Sequence, residues 1–237
     1  MKEKILKTVY EIFTVWSKDF DVACHRGCFV CCTRNVTMTA VEGELILRYI
    51  RKNKMEHQFA ERLQSASPKK RPKMTTNDFA RACLQEKMYD FEEPSPEEKC
   101  PFLEDNLCII YPVRPFVCRM MISRHQCAKG QPASLSNDYL AAATAVMQII
   151  EHLGQKEYWG NMLDVLPALC DISEHHTVAS HLDNVVIMEA RMRTLTAKPL
   201  PGFLFTEEEE QTVAPLLQTI FNTEIMGRRI EDILNGR

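Results

Sequence analysis

Apolar side chains recur along this chain mostly at three- and four-residue steps, and no stretch alternates apolar with polar long enough to read as a strand series. The first stripe, Ile5, Leu6, Val9, Ile12, Phe13 and Trp16, predicts an amphipathic helix ending near Asp21. Thr39 and Glu42 have capping-box spacing, so a second helix is expected through Leu45, Ile46, Leu47, Tyr49 and Ile50. Residues 65–77, SASPKKRPKMTTN, lack periodicity and read as an exposed loop. Asn77 is positioned to cap a helix through Phe79, Ala82, Cys83, Glu86 and Tyr89, which Pro94 and Pro96 bring to an end.

After Ser136 the stripe Leu140, Ala143, Val146, Met147, Ile150 and Leu153 predicts a helix closed by Gly154. Further helices are expected over 155–172, 175–195 and 206–221, the last with Thr206 ahead of four glutamates that suit the positive end of a helix dipole. A short one is expected within 223–234. No internal repeat is visible. The expected fold class is therefore mainly α, a helical domain in which irregular cysteine-bearing loops surround a metal site. A cysteine-cluster unit over residues 1–130 is expected to carry that site, with a helical region over 131–237 packed on it.

With 237 residues, 45% of them hydrophobic, the chain can build an ordinary core without cross-links. Its 29 basic and 32 acidic residues give a net charge of −3, which does not suit a protein built to grip a phosphate backbone, so no nucleic-acid partner is expected. Charges at Lys2, Glu3, Lys4, Lys7 and Glu11 interrupt the apolar residues at the start, and no unbroken run suits a signal core or a membrane span. The expected location is the cytoplasm. There, ten cysteines point away from stable disulfides and toward metal ligation or redox chemistry.

Eight of the ten fall in two segments. Cys24, Cys28, Cys31 and Cys32 lie within nine residues, a spacing that can fold sulfurs around one centre. The neighbours Cys31 and Cys32 cannot point the same way on any regular backbone, so they are expected to serve different positions. The second segment holds Cys100, Cys108, Cys118 and Cys127, with Pro101, Pro112 and Pro115 stiffening it. Pro115 suits the first turn of a short helix carrying Cys118. If the segments converge, eight thiols are available for one centre with spares or for two.

Zinc and iron-sulfur clusters both take thiolates, and spacing does not separate them. Either leaves net negative charge that nearby cations should offset. Arg114, held between Val113 and Pro115, and Arg119 are the preferred candidates, with Arg26, Arg34 and Arg124 also near in sequence. His25 and His125 adjoin the cysteines and are weaker ligand candidates. Cys83 and Cys170 fall on apolar helix faces and read as core.

The run Cys24-x-x-x-Cys28-x-x-Cys31-Cys32, then Cys100-Pro101-Phe102-Leu103, Cys108-Ile109-Ile110-Tyr111, Arg114-Pro115 and Cys118-Arg119, resembles the YkgJ-type cysteine-cluster family of zinc- or iron-chelating proteins. The resemblance covers roughly residues 20–130. It implies chelation by Cys24, Cys28, Cys31, Cys32, Cys100, Cys108 and Cys118, and extends to Cys127.

The preferred expectation is a cytoplasmic module holding a metal ion or cluster, a four-iron iron-sulfur cluster ahead of zinc. Such a module would handle electrons or redox state for a protein partner that the sequence does not identify. The runner-up is an S-adenosylmethionine-dependent protein lysine methyltransferase, since flagellin lysine methylases look similar in their cysteine region. No glycine-rich strand-to-helix turn for that nucleotide is present among only eight glycines. The Cys24, Cys28 and Cys31 spacing also resembles that of radical S-adenosylmethionine enzymes. Their β/α barrels need strands that the pattern lacks, and Val30 stands where they carry an aromatic residue.

Overall fold

A computed structural model describes residues 1–66, 71–87, 98–128 and 133–237. In chain order, helix α1 (Lys2–Trp16) is followed by strand β1 (Thr37–Thr39) and helices α2 (Ala40–Lys52), α3 (Glu56–Gln64) and α4 (Thr76–Leu84). The hairpin β2 (Leu103–Glu104) and β3 (Leu107–Cys108) leads to the short helix α5 (Phe116–Met120) and then to the long α6 (Asn137–Leu153). Strand β4 (Tyr158–Asn161) precedes α7 (Met162–Leu169), α8 (His176–Ala179), α9 (Asn184–Arg193) and strand β5 (Leu195–Thr196). The chain closes with α10 (Glu207–Asn222), the hairpin β6 (Glu224–Ile225) and β7 (Arg228–Arg229), and α11 (Ile230–Leu234). The fold is mainly α. No helix among the described residues is long and apolar enough to cross a membrane.

Two apolar cores meet at α2. Val41 and Leu45 join Ile5, Val9 and Phe13 of α1, Val146 and Ile149 of α6 and Leu216 and Ile220 of α10 in the first. Ile46, Leu47 and Ile50 turn the other way, toward Phe59 and Leu63 of α3 and Val165 and Leu166 of α7. A helix that is apolar on opposite sides is buried between layers. Phe102 and Ile110, from the segment between Cys100 and Cys118, also enter the second core, with Phe102 stacked on Phe59 at 5.0 Å between ring centroids.

Several expectations hold closely. The Thr39–Glu42 capping box opens α2, and Thr206 with Glu209 forms another at α10. Others are corrected. The helix expected from Asn77 starts two residues earlier, because Thr75 is the cap and accepts from Asp78 N–H at 3.1 Å, while the Asn77 amide is buried, donating to Gln148 O and Lys198 O. That helix ends at Leu84, and Tyr89, Pro94 and Pro96 lie outside the described residues. Of the expected loop 65–77, residues 67–70 also lie outside them, and Thr76 already belongs to α4.

The single helix expected over 155–172 is a strand followed by a helix. β4 satisfies its backbone by pairing antiparallel with β1 on one side and β5 on the other, with Thr37 opposite Asn161 and Tyr158 opposite Thr196. The one expected over 175–195 is broken, since turns at Ser180 and Leu182 end α8 and Asp183 takes extended backbone before α9. Residues 224–229 form a hairpin whose turn residues Met226 and Gly227 have φ of +56° and +77°, the pair of positive angles a tight two-residue turn requires.

Glu42 is 3% exposed and accepts four hydrogen bonds. Its Oε2 takes Thr39 N–H at 2.8 Å and Thr39 Oγ1 at 3.0 Å. Its Oε1 takes the Tyr10 hydroxyl at 2.8 Å and Phe116 N–H, the first amide of α5, at 2.7 Å. One carboxylate thus joins α1, the start of α2 and the start of the helix that carries Cys118. Truncating it strands several buried donors, each costing roughly 1–3 kcal/mol. Glu42→Ala is expected to lower unfolding free energy by about 3 kcal/mol in urea titration, against about 1 kcal/mol for Thr39→Ala, which removes only a cap. Equal losses in the two variants would reduce Glu42 to a capping residue.

Candidate metal centre

The first cysteine loop consists of two consecutive tight turns. Cys28 N–H donates to His25 O at 3.0 Å and Cys32 N–H to Phe29 O at 2.9 Å, so each of those cysteines closes a turn. Gly27 has φ of +91° at the third position of the first turn, where a side chain would be strained. The loop is tied at both ends: Ala23 N–H donates to Ser123 O at 2.8 Å, and the Asn161 side-chain amide donates to Arg34 O at 2.8 Å.

The second segment is laid against the first by backbone bonds. Thr33 and Lys99 form an antiparallel bridge, and Cys100 N–H donates to Cys32 O at 3.0 Å. Pro101 and Phe102 turn the chain, and the hairpin that follows places Leu103 opposite Cys108. Its turn residues Asp105 and Asn106 have φ of +47° and +64°. Asp and Asn tolerate those angles best among residues with side chains, so the dipeptide was the sequence signal for this hairpin. Pro115 stands at the N-cap of α5, one position before the expected first turn, and Cys118 lies in that helix.

Seven of the eight cysteines line one cavity of about 430 Å³: Cys24, Cys28, Cys31, Cys32, Cys100, Cys108 and Cys118. Cys28 and Cys118, from separate segments, therefore face the same space. Cys127 is not part of the lining, though its thiol is an electrostatic neighbour of Cys24. Apolar side chains, including Val22, Ile110, Val117 and Met162, complete the walls with Arg26, Arg114 and Arg119. Among the described residues no three Cys, His, Asp or Glu side chains stand close enough together to clasp a single ion. The thiols encircle a space instead of meeting at a point.

The preferred arginines are held firmly. Arg114 donates to Tyr111 O at 2.9 Å with its guanidinium 3.8 Å over the Tyr111 ring. Arg119 donates to Arg114 O at 2.9 Å and to Pro112 O at 2.8 Å, and lies 4.4 Å over the Tyr10 ring. Arg34 pairs with Glu98 at 2.7 Å, and Arg62 donates to Pro101 O and Leu103 O while pairing with Glu104. Arg62 has no mark in the sequence, since it acts from α3, yet its charge reaches Cys100.

Other candidates fall away from the cavity or are engaged elsewhere. His25 reaches the rim, but its Nδ1 is 3.0 Å from Arg26 O, and His125 is exposed outside the lining. Arg124 is exposed outside it too. Cys170 is buried core with its thiol donating to Leu166 O, while Cys83 is half-buried on α4. His175 is fully buried, bonds Glu44 at 2.9 Å and is not part of the lining.

Burial is the main cause that pushes the Cys100 thiol up to about 11, with Cys108 adding to it and Arg34 and Arg62 opposing. Cys118 is raised well above the ordinary thiol range, first by burial and then by Cys100, Cys108 and Cys31. Burial also raises Cys24 and Cys108. Cys31 is exposed as a residue, but its hydrogen bond with the Cys32 thiol raises it strongly. A soft cation that replaces these protons would relieve the crowding, which is the chemistry a thiolate-binding metal needs. The donor set fits zinc or an iron-sulfur cluster.

The raised Cys100 thiol gives a signed pH dependence. The unfolded thiol titrates near its ordinary value of 9.0 and the folded one near 11, so the contribution is full below about pH 9 and is lost as pH rises through about 11. Unfolding free energy of the reduced, metal-free protein is expected to fall by on the order of 2 kcal/mol over that window through Cys100 alone. Urea titration at several pH values would show it, and Cys100→Ser should shrink the drop.

Residues 23–146, just over half of the chain, match the CxxCxxCC family, described as a proposed zinc- or iron-chelating domain. No curated protein and no solved structure matches the chain. The chain belongs to the CxxCxxCC family, and its thiol-lined cavity lies within the segment that defines it.

Proposed function

We propose that this protein holds an iron-sulfur cluster, of the four-iron type in preference to zinc, and uses it to handle electrons or redox state in the cytoplasm. The observation that carries the reading is the cavity of about 430 Å³ ringed by seven thiols. Zinc bonds sulfur at about 2.3 Å, so four thiolates around it sit roughly 4 Å from one another and leave no such space. A cluster several ångströms across has its ligands at the corners of a larger body. Cys24, Cys28, Cys31, Cys32, Cys100, Cys108 and Cys118 would supply the thiolates, with Cys127 beside them.

When bound, an iron-sulfur cluster supplies reversible one-electron chemistry. The chain's own part is to present thiolates, to offset their charge with Arg114 and Arg119, and to keep water away with the apolar walls. Residues 1–130 act in this reading as the cysteine-bearing unit, and residues 131–237 as the helical frame packed on it.

Anaerobic purification, or reconstitution of the reduced protein with iron and sulfide, tests the reading. Broad visible absorption that bleaches with dithionite, with iron and acid-labile sulfide in equal amounts, is the expected result. Chelation should then lower helicity and thermal stability. A colourless protein with stoichiometric zinc would overturn the iron assignment, and one that retains neither metal would overturn metal binding altogether.

A further inference from the structure

We infer that Cys31 is the thiol at which metal enters the site: it takes the metal from an incoming anionic thiolate complex and passes it inward through its neighbour Cys32. This rests on the metal-binding reading above and gives one of the lining thiols a separate task.

The cavity has a surface end and a buried end. Val22, Leu107 and Tyr111 line it and are exposed, whereas Val36, Ile110 and Met162 line it and are buried. His25 and Arg26 are exposed lining residues too. Among the ten cysteines Cys31 alone is exposed; Cys170 is buried and the rest are half-buried. Val30, just before Cys31, is exposed as well. A soft cation arriving from solvent therefore finds Cys31 first.

The backbone around Cys31 leads inward. Cys32 N–H donates to Phe29 O at 2.9 Å and Thr33 N–H to Cys31 O at 3.1 Å, so the adjacent cysteines sit in a tight reversal with their thiols hydrogen-bonded to each other. Cys32 O accepts Cys100 N–H at 3.0 Å, which ties the second cysteine of the pair to the segment that carries Cys100. One step from Cys31 to Cys32 thus goes from a surface residue to one anchored at the inner wall. A centre with four thiolate ligands leaves some of the seven lining thiols over, so one of them can serve without staying bound.

The charged side chains of the lining are Arg26, Arg114 and Arg119, with no carboxylate among them. Such a mouth attracts a cation already wrapped by small-molecule thiolates, because that complex is an anion. Exchange then needs no change of oxidation state. The Cys31 sulfur bonds the metal, one metal–sulfur bond of the incoming complex breaks, and the Cys31 proton leaves with the departing thiol. Cys32 repeats the step, its sulfur replacing that of Cys31 on the metal while its proton passes to the Cys31 sulfur.

Cadmium is a suitable probe, since its bonds to thiolates absorb in the ultraviolet. Reduced, metal-free full chain is mixed with a cadmium–glutathione complex, and uptake is followed with time. In Cys31→Ser the rate is expected to fall roughly tenfold while the final amount bound matches wild type. Far-UV circular dichroism checks that the variant is folded. Arg26→Glu should also slow uptake from this complex, and an unchanged rate there would overturn the choice of an anionic donor.

Wild type loaded with cadmium provides a second readout. Iodoacetamide should modify Cys31 in it, as read by peptide mass spectrometry, with the metal retained. An unchanged uptake rate in Cys31→Ser overturns the inference. So does a smaller final amount, or protection of Cys31 in the loaded protein, either of which makes Cys31 a resident ligand and leaves metal binding intact. Wild type that takes up no cadmium overturns metal binding and this inference together.

Discussion

A buried carboxylate at the start of α2 governs where the cysteines can be. Glu42 fills its lone pairs with donors from three elements, and each donor would be orphaned in an apolar layer without it. Through Tyr10 it fixes α1, through Thr39 the junction of β1 and α2, and through Phe116 the helix bearing Cys118. Arg119 then lies over the ring of the same Tyr10. The wall of the cavity that holds Cys118 is thus referenced to the deepest part of the molecule.

The opposite wall is built by a different device. Its loop contains few apolar side chains, so it cannot secure itself by burial. Backbone bonds to Ser123, Glu98 and Lys99, together with the Asn161 amide, hold it in place. One wall is therefore set by packing and the other by hydrogen bonds to irregular backbone. Loops of the second kind open more easily than packed helices. In the proposed function this suits a site that must admit metal before it closes around it.

The helical class and most of the long helices were legible because their stripes are long and their caps explicit. Ile5 to Trp16, the Thr39 box and the Thr206 box each combine periodicity with a local hydrogen-bond signal. The errors have a common cause: β4, β5 and the turns around Ser180 are decided by distant partners. A strand of four residues flanked by helix-compatible side chains carries no periodicity of its own. Helix α3 leaves little trace in the sequence for the related reason that only Phe59, Ala60 and Leu63 mark its buried side.

At the cavity, cysteine spacing indicated which residues to watch, and the proline and arginine positions indicated stiffness. What it could not convey was the contribution of Arg62, Asn161 and Tyr10, which act on the cysteine segments from elsewhere in the chain. Glu42 was legible as a cap but not as the junction of three elements. A capping box is local, whereas the bonds to Tyr10 and Phe116 exist only once the cores have formed.

The pairing of β1 with β4 reaches beyond the stretch that identifies the family. β1 follows directly from the first cysteine loop, while β4 and the Asn161 that grips Arg34 lie downstream of residue 146. The shape of that loop is consequently borrowed in part from sequence outside the recognised segment. Relatives sharing the cysteines but ending in unrelated tails would have to find another brace for the same turn, so their cavities need not be interchangeable with this one.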